Sequence, residues 1–293
     1  MDGVLNVHKP SGITSHDVID HLRRASGQKE IGHAGTLDPL AEGVLVCCLG
    51  RATRLVPYIQ PLTKHYRGTI LFGKTTDTQD ADGQVLEVKP ASHLTLEQVR
   101  EIAKQFVGRI WQVPPMYSAL RVEGRKLHEL AREGKELERK PRPITVYRFE
   151  ILDFTPGEFP TARFEIECSS GTYVRTIAHD MGQIAGVGAH LIQLTRTAVG
   201  HFRLEESLPL EHFTDAETVR NALIPPIEAV RHLPRWKPAP AALERLLHGN
   251  FVQAEHPLWT PGSFVVVTED DDKIALIARW LPPLLRPVRV IRA

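Results

Sequence analysis

Between Gly43 and Gly50 the chain runs Val44-Leu45-Val46-Cys47-Cys48-Leu49, six apolar residues without a charge among them. An apolar run this short, bounded by glycines, reads as a buried strand rather than a helix. Such a strand needs cover on both faces, so the chain is committed to a sheet with helices packed on it. The neighbouring elements agree. Gly3–His8 alternates and reads as an edge strand, and Tyr66–Phe72, Val146–Phe154, Arg163–Cys168 and Leu191–Ala198 read as further strands. Helices are expected at 14–24 behind a Thr-x-x-Asp cap, at 95–106 behind a Thr-Leu-Glu-Gln capping box, at 126–133 and at 174–185. Strands and helices mix without a strict β-α-β rhythm, which predicts an α+β fold with a mixed sheet. Prolines 225, 226, 234, 238 and 240 mark a linker near residue 230, where few contacts are expected to cross. Beyond it a helix at 241–248 and several strands predict a small β-rich module.

Composition narrows the class. Among 293 residues 42% are hydrophobic and 24% charged, as in an ordinary globular chain. No stretch reaches the roughly 20 apolar residues of a membrane span, and Asp2 and Asn6 interrupt what a signal peptide would need. Three cysteines without C-x-x-C spacing exclude a disulfide framework and point to a reducing, cytoplasmic setting. The net charge of +1 does not by itself suggest a nucleic-acid partner, but the charges are segregated. Residues 43–76 carry five basic side chains and no acidic one, and 121–148 carry nine Lys/Arg against five Glu. Blocks of this kind can place positive surface on one side of a near-neutral molecule; solvated helix faces would give the same counts.

Chemistry concentrates in Gly32-His33-Ala34-Gly35-Thr36-Leu37-Asp38-Pro39-Leu40-Ala41-Glu42-Gly43. Pro39 restricts Asp38 to extended backbone, and the apolar strand follows at once, so the carboxylate stands at the lip of the core. There it can serve as nucleophile, base or metal ligand; taken alone, the segment reads more simply as an Asp-Pro turn with a polar cap. A second candidate is Gly171-Thr172-Tyr173-Val174-Arg175-Thr176. If this segment starts extended, Tyr173 and Arg175 share a face suited to base stacking and carboxylate pairing. Lys64-His65-Tyr66-Arg67 adds an aromatic among cations. Thr75–Gly83 looks like a calcium loop, but aligning its glycine puts Thr78 and Lys89 at the outer ligand positions, so that reading fails. Neither paired Asp-Thr/Ser-Gly elements nor any Walker A, H-E-x-x-H, G-x-S-x-G or G-x-G-x-x-G motif occurs.

Taken in order, these segments resemble the bacterial tRNA pseudouridine-55 synthases, the TruB-type family. The matches are Leu5-Asn6-Val7-His8-Lys9-Pro10-Ser11-Gly12, the Gly32–Gly43 segment, Lys64–Gly83, Pro114-Pro115-Met116-Tyr117-Ser118-Ala119-Leu120, Cys168–Thr176, and Gly188–Leu191 leading to Leu194. They span about residues 3–200. Ser170 and Thr195 stand where the family usually has basic residues, and Phe72 where Leu is usual. The resemblance implies a largely antiparallel mixed sheet with packed helices over residues 1–230, with an RNA-binding insertion at about 121–143. It also implies a PUA-like RNA-binding module over 231–293.

The activity so implied is isomerisation of uridine to pseudouridine at position 55 in the tRNA T-loop, on a flipped-out base. Asp38 would be the nucleophile, Arg175 its partner, and Tyr66 the ring stacked on uracil and the group for proton transfer at C5. Tyr173 and Leu194 would line the uridine pocket, and His33 would contact the RNA where the base has left its stack. The reaction involves no redox change and no net hydrolysis, so no cofactor or metal is expected. The expected partner is the tRNA T-arm, read by a monomer with no membrane or protein partner. The rivals are an RNA-folding factor acting without catalysis and a guide-RNA-dependent synthase.

Overall fold

The computed structural model describes residues 1–118, 139–254, 256, 258–271 and 273–291, with backbone alone at 121–122 and 125–126. The helix expected at 126–133 and most of the insertion expected at 121–143 lie outside the described residues. The main sheet contains β1 (Gly3–Lys9), β2 (Ile31–His33), β3 (Glu42–Leu49), β4 (Lys64–Phe72), β5 (Gly108–Gln112), β6 (Arg142–Thr155), β7 (Thr161–Cys168), β8 (Ala189–Val199) and β9 (Leu208–Pro209). Their order is β9-β1-β3-β8-β4-β7-β6-β5, with β2 on the flank of β3 and Phe202–Arg203 folded back on β8. Only β1–β9 and β3–β8 are parallel, so the sheet is mixed and largely antiparallel, the class expected.

The apolar run becomes β3, buried from Gly43 to Leu49 between β1 and β8. β1 is not the edge strand its alternation suggested. Leu208 and Pro209 return from far along the chain to pair with Val7 and His8. Helix starts follow the capping signals. In α1 (Ser15–Ser26) the Thr14 hydroxyl accepts the Asp17 N–H at 3.1 Å while the Thr14 N–H donates to the Asp17 carboxylate at 2.8 Å. Thr95 and Gln98 form the same box at α2 (Leu96–Lys104). Helix α3 (Val174–Ile184) packs on β8 and buries Val174, Ile177, Ala178 and Met181 in the largest core cluster.

Strands β3 and β8 meet through two residue pairs alone, Thr195 with Glu42 and Arg196 with Gly43. This narrow seam joins the β9-β1-β3 part of the sheet to the rest. Gly43 holds φ +103° there, and a β-carbon on it would lie 2.3 Å from the Arg196 carbonyl oxygen. No other residue type fits that approach.

Past the linker, α4 (Pro240–Leu247) joins a five-stranded sheet of β10 (Arg235–Trp236), β11 (Val252–Gln253), β12 (Phe264–Thr268), β13 (Ile274–Leu281) and β14 (Leu284–Val290), ordered β10-β12-β13-β14-β11. Trp259 centres its core, edge-on to Trp236 and Trp280 at 6.2 and 5.9 Å. The sparse junction expected near residue 230 is instead packed. Val266, Ile274, Ile277 and Ile291 share an apolar cluster with Val4, Val44 and Leu55, and Arg54 donates to the Val290 carbonyl at 2.8 Å. The reason is that the second sheet has two apolar faces, and only one is covered by its own helix. Among the described residues no helix is long and apolar enough to cross a membrane.

The seam makes a direct test of the fold. Gly43→Ala drives a β-carbon into a neighbouring carbonyl at positive φ, so it is expected to cost at least about 3 kcal/mol of stability. Denaturant unfolding measures this. A midpoint equal to that of the parent would mean β3 and β8 do not need their close approach.

Candidate active site

The loop from β2 to β3 carries Asp38, and its backbone is pinned on both sides. Fully buried Lys9, at the end of β1, donates through Nζ to the carbonyls of Pro10 at 2.9 Å, Pro39 at 3.3 Å and Ala41 at 2.6 Å. Arg196 donates from Nε to Val44 O at 2.7 Å, from Nη1 to Thr36 O at 3.2 Å and from Nη2 to Gly35 O at 3.0 Å. The Ser15 hydroxyl accepts the Leu37 N–H at 2.8 Å and donates to the Leu37 carbonyl at 2.9 Å. Asp38 thus projects from rigid backbone, as Pro39 suggested. Burial pushes the Lys9 ammonium down to about 8, with the charges of Asp38 and Glu42 opposing the shift.

Facing Asp38 is Arg175, in the first turn of α3. Its Nη2 donates to Asp38 Oδ1 at 3.4 Å, and its Nε lies 3.2 Å from Oδ2 off the hydrogen-bonding direction, so the pair is held chiefly by charge. The guanidinium is 5% exposed while the carboxylate is 38% exposed. The cation is buried and the anion opens outward. Arg175 is fixed from behind by Tyr117 O, 2.5 Å from Nη2, by Thr78 O, 3.3 Å from Nη1, and by the buried Asp80 carboxylate, 3.7 Å from Nη1. Burial pushes the Asp80 carboxyl above its usual range; a 2.5 Å hydrogen bond from Thr78 and the Arg175 charge oppose this.

Tyr66, on β4 opposite Arg196, is buried. Burial raises its phenol above the ordinary value, and the Arg196 charge works against that. Tyr173 and Arg175 do not share the face of a strand. Tyr173 is the extended N-cap residue of α3 (φ −95°, ψ 101°), and Arg175 follows in its first turn with Cζ 5.8 Å from the Tyr173 ring. Helix geometry brings them together where strand geometry was expected.

Asp38, Tyr66, Tyr173, Arg175 and Leu194 line one cavity of about 510 Å³, at the seam between β3 and β8. That volume suits a nucleoside-sized ligand. His33 is not among its walls. It lies on β2 opposite Cys47, and Nδ1 accepts the Gly35 N–H at 3.4 Å. Burial lowers its imidazole, with Arg196 and His16 adding to the effect. The reading of residues missed Asp80, Lys9, Arg196 and Gln112. Asp80 stood inside the calcium-like segment and Lys9 inside the first matched motif, whereas neither Arg196 nor Gln112 carries a local signal.

A family model described as the TruB family pseudouridylate synthase N-terminal domain matches residues 23–174, just over half of the chain. The chain belongs to the TruB family of pseudouridylate synthases. A second model, the tRNA pseudouridylate synthase B C-terminal domain, continues over residues 175–231. The chain is similar to the "tRNA pseudouridine synthase B" of Symbiobacterium thermophilum, 49% identical over 85% of this chain and 82% of that one. It is 39% identical to that of Geobacillus thermodenitrificans over the full length of both. Among solved structures it resembles a chain of a Cbf5-Nop10-Gar1 complex, with a TM-score of 0.75 and 26% identity over 99% of this chain and 85% of that one. As a TruB-family chain it is an isomerase, and its fold is the pseudouridine synthase fold. Lys9 and Ser15, which pin the Asp38 loop, precede the span of the first model.

Lys9 allows a measurement of this pinning that does not depend on activity. Its ammonium titrates near 8 in the fold against an ordinary 10.5, so between these values the unfolded chain holds the extra proton. The cost of the buried charge is full below pH 8 and relieved as pH rises. Relative to Lys9→Met, the parent is therefore expected to gain about 3 kcal/mol between pH 8 and 10.5. Paired urea titrations test this; a difference independent of pH would contradict the buried, charged Lys9.

Proposed function

We propose that this enzyme converts uridine 55 in the T-loop of tRNA to pseudouridine, with Asp38 as nucleophile. The observation that carries the reading is an outward-facing carboxylate, paired with a buried guanidinium, at the wall of an aromatic-lined cavity in a TruB-family chain. The reaction breaks the N1–C1′ bond, turns the uracil and rejoins it through C5, releasing the C5 proton. One carboxylate near the anomeric carbon or the base suffices, and Arg175, paired with Asp38, holds its orientation. Tyr66 stacks on the ring and serves proton transfer at C5. Tyr173 and Leu194 hold the uridine, and their cover keeps water from ending the reaction as an abasic site.

Extruding the base costs a few kcal/mol, which stacking at roughly 1–3 kcal/mol per ring offsets. His33 takes the RNA face beside the emptied position. The basic blocks at 43–76 and 121–148 supply phosphate contacts, and the module from 231 onward adds a further RNA surface, with one chain acting alone.

Asp38→Asn keeps shape and removes the nucleophile. Tritium release from [5-³H]uridine tRNA is expected to fall below detection while tRNA affinity stays within a few-fold of the parent, because binding rests on many phosphate and stacking contacts. Appreciable turnover by this variant would remove Asp38 from its role.

A further inference from the structure

One buried side chain ties the outer strand β5 to the start of α3. Gln112 is 4% exposed. Its Oε1 accepts the Tyr173 N–H at 2.9 Å and its Nε2 donates to the Tyr173 carbonyl at 3.0 Å. Helix α3 has no side-chain cap of its own, so Gln112 holds both backbone groups of the residue from which the helix departs. From Gln112 the chain continues through Val113-Pro114-Pro115-Met116 to Tyr117, whose carbonyl accepts from Arg175 Nη2 at 2.5 Å. The two prolines restrict the backbone between these points. A stretch of six residues thus holds the Tyr173 backbone at one end and the Arg175 guanidinium at the other.

We propose that Gln112 is a positioning residue of the isomerase site. It orients Tyr173 directly, and through the first turn of α3 it aims Arg175 at Asp38. The inference rests on the roles given above to Arg175 and Asp38. Gln112 is not a wall of the cavity, so it acts through its neighbours and not on the substrate. The choice of side chain follows from the geometry: a planar amide offers one donor and one acceptor side by side, matching the N–H and C=O of one residue. Asn is one methylene too short. An ionised Glu keeps the acceptor, loses the donor and sets a negative charge against the Tyr173 carbonyl; a protonated Glu restores both bonds.

The test compares the parent with Gln112→Ala and Gln112→Glu, using full tRNA, single-turnover pseudouridine formation at saturating enzyme, and equilibrium tRNA binding. Gln112→Ala is expected to slow the single-turnover step by about 10- to 100-fold, since small misplacements at a reacting centre carry losses of that size. Its tRNA Kd is expected to stay within about threefold. For Gln112→Glu, the rate relative to the parent at each pH is expected to rise as pH falls from 8 to 6, because the proton returns the missing donor. A folded Gln112→Ala with the parental rate overturns the proposal, as does a loss confined to Kd. If Gln112→Ala does not fold, the Glu variant decides, and a relative rate that ignores pH overturns it. Turnover by Asp38→Asn would instead sink the nucleophile assignment, whatever the Gln112 variants do.

Discussion

A guanidinium removed from water must be paired, and the site is arranged around meeting that demand for Arg175. Its acceptors come from three separate stretches of chain: Asp38 after β2, Thr78 and Asp80 in the turn after β4, and Tyr117 beyond β5. Bringing these together requires the seam between β3 and β8, the approach that Gly43 permits, and the fixed start of α3. Among the described residues Asp38 is the one partner left open to the cavity. The carboxylate is accessible while its counter-ion is not, so its orientation is set from the protein side.

Three further cations lie buried nearby, and all are satisfied by backbone. Lys9 and Arg196 bind carbonyls on the Asp38 loop, and Lys64 binds the carbonyls of Gln60 and Leu62. Among the described residues none of the three forms an ion pair with a carboxylate. Lys64 and Arg196 stand in the cavity wall with Arg142 and Arg175, against Asp38 alone, so the wall carries an excess of positive charge. Such a wall favours an anionic backbone entering it. In Arg196 one side chain serves both stiffness and charge.

The parts of this that the sequence displays are the locally encoded ones. Val44–Leu49 announces a core strand, Thr14 and Thr95 announce helix starts, and Pro39 announces a rigid Asp38, because each signal acts within a few residues. The remainder depends on partners far apart in sequence. β1 leaves the edge because Leu208 returns to it. Tyr173 and Arg175 converge through a helix cap that Gln112, 61 residues earlier, holds in place. Asp80 looked like a failed calcium ligand because its actual partner, Arg175, lies on another element. The junction near residue 230 is packed because Val266 and Ile277 find Val4 and Val44, a contact no local composition shows.

The central claim is that a buried guanidinium aims Asp38. Arg175→Lys keeps the charge but cannot reach Asp38, Asp80 and two carbonyls at once. With tRNA prebound, the single-turnover rate constant for pseudouridine formation is expected to fall at least about 100-fold, as for loss of one preorganised donor at a reacting centre, with tRNA affinity nearly intact. A rate within a few-fold of the parent would show that a point charge suffices and that the fork of contacts around Arg175 does not set the chemistry.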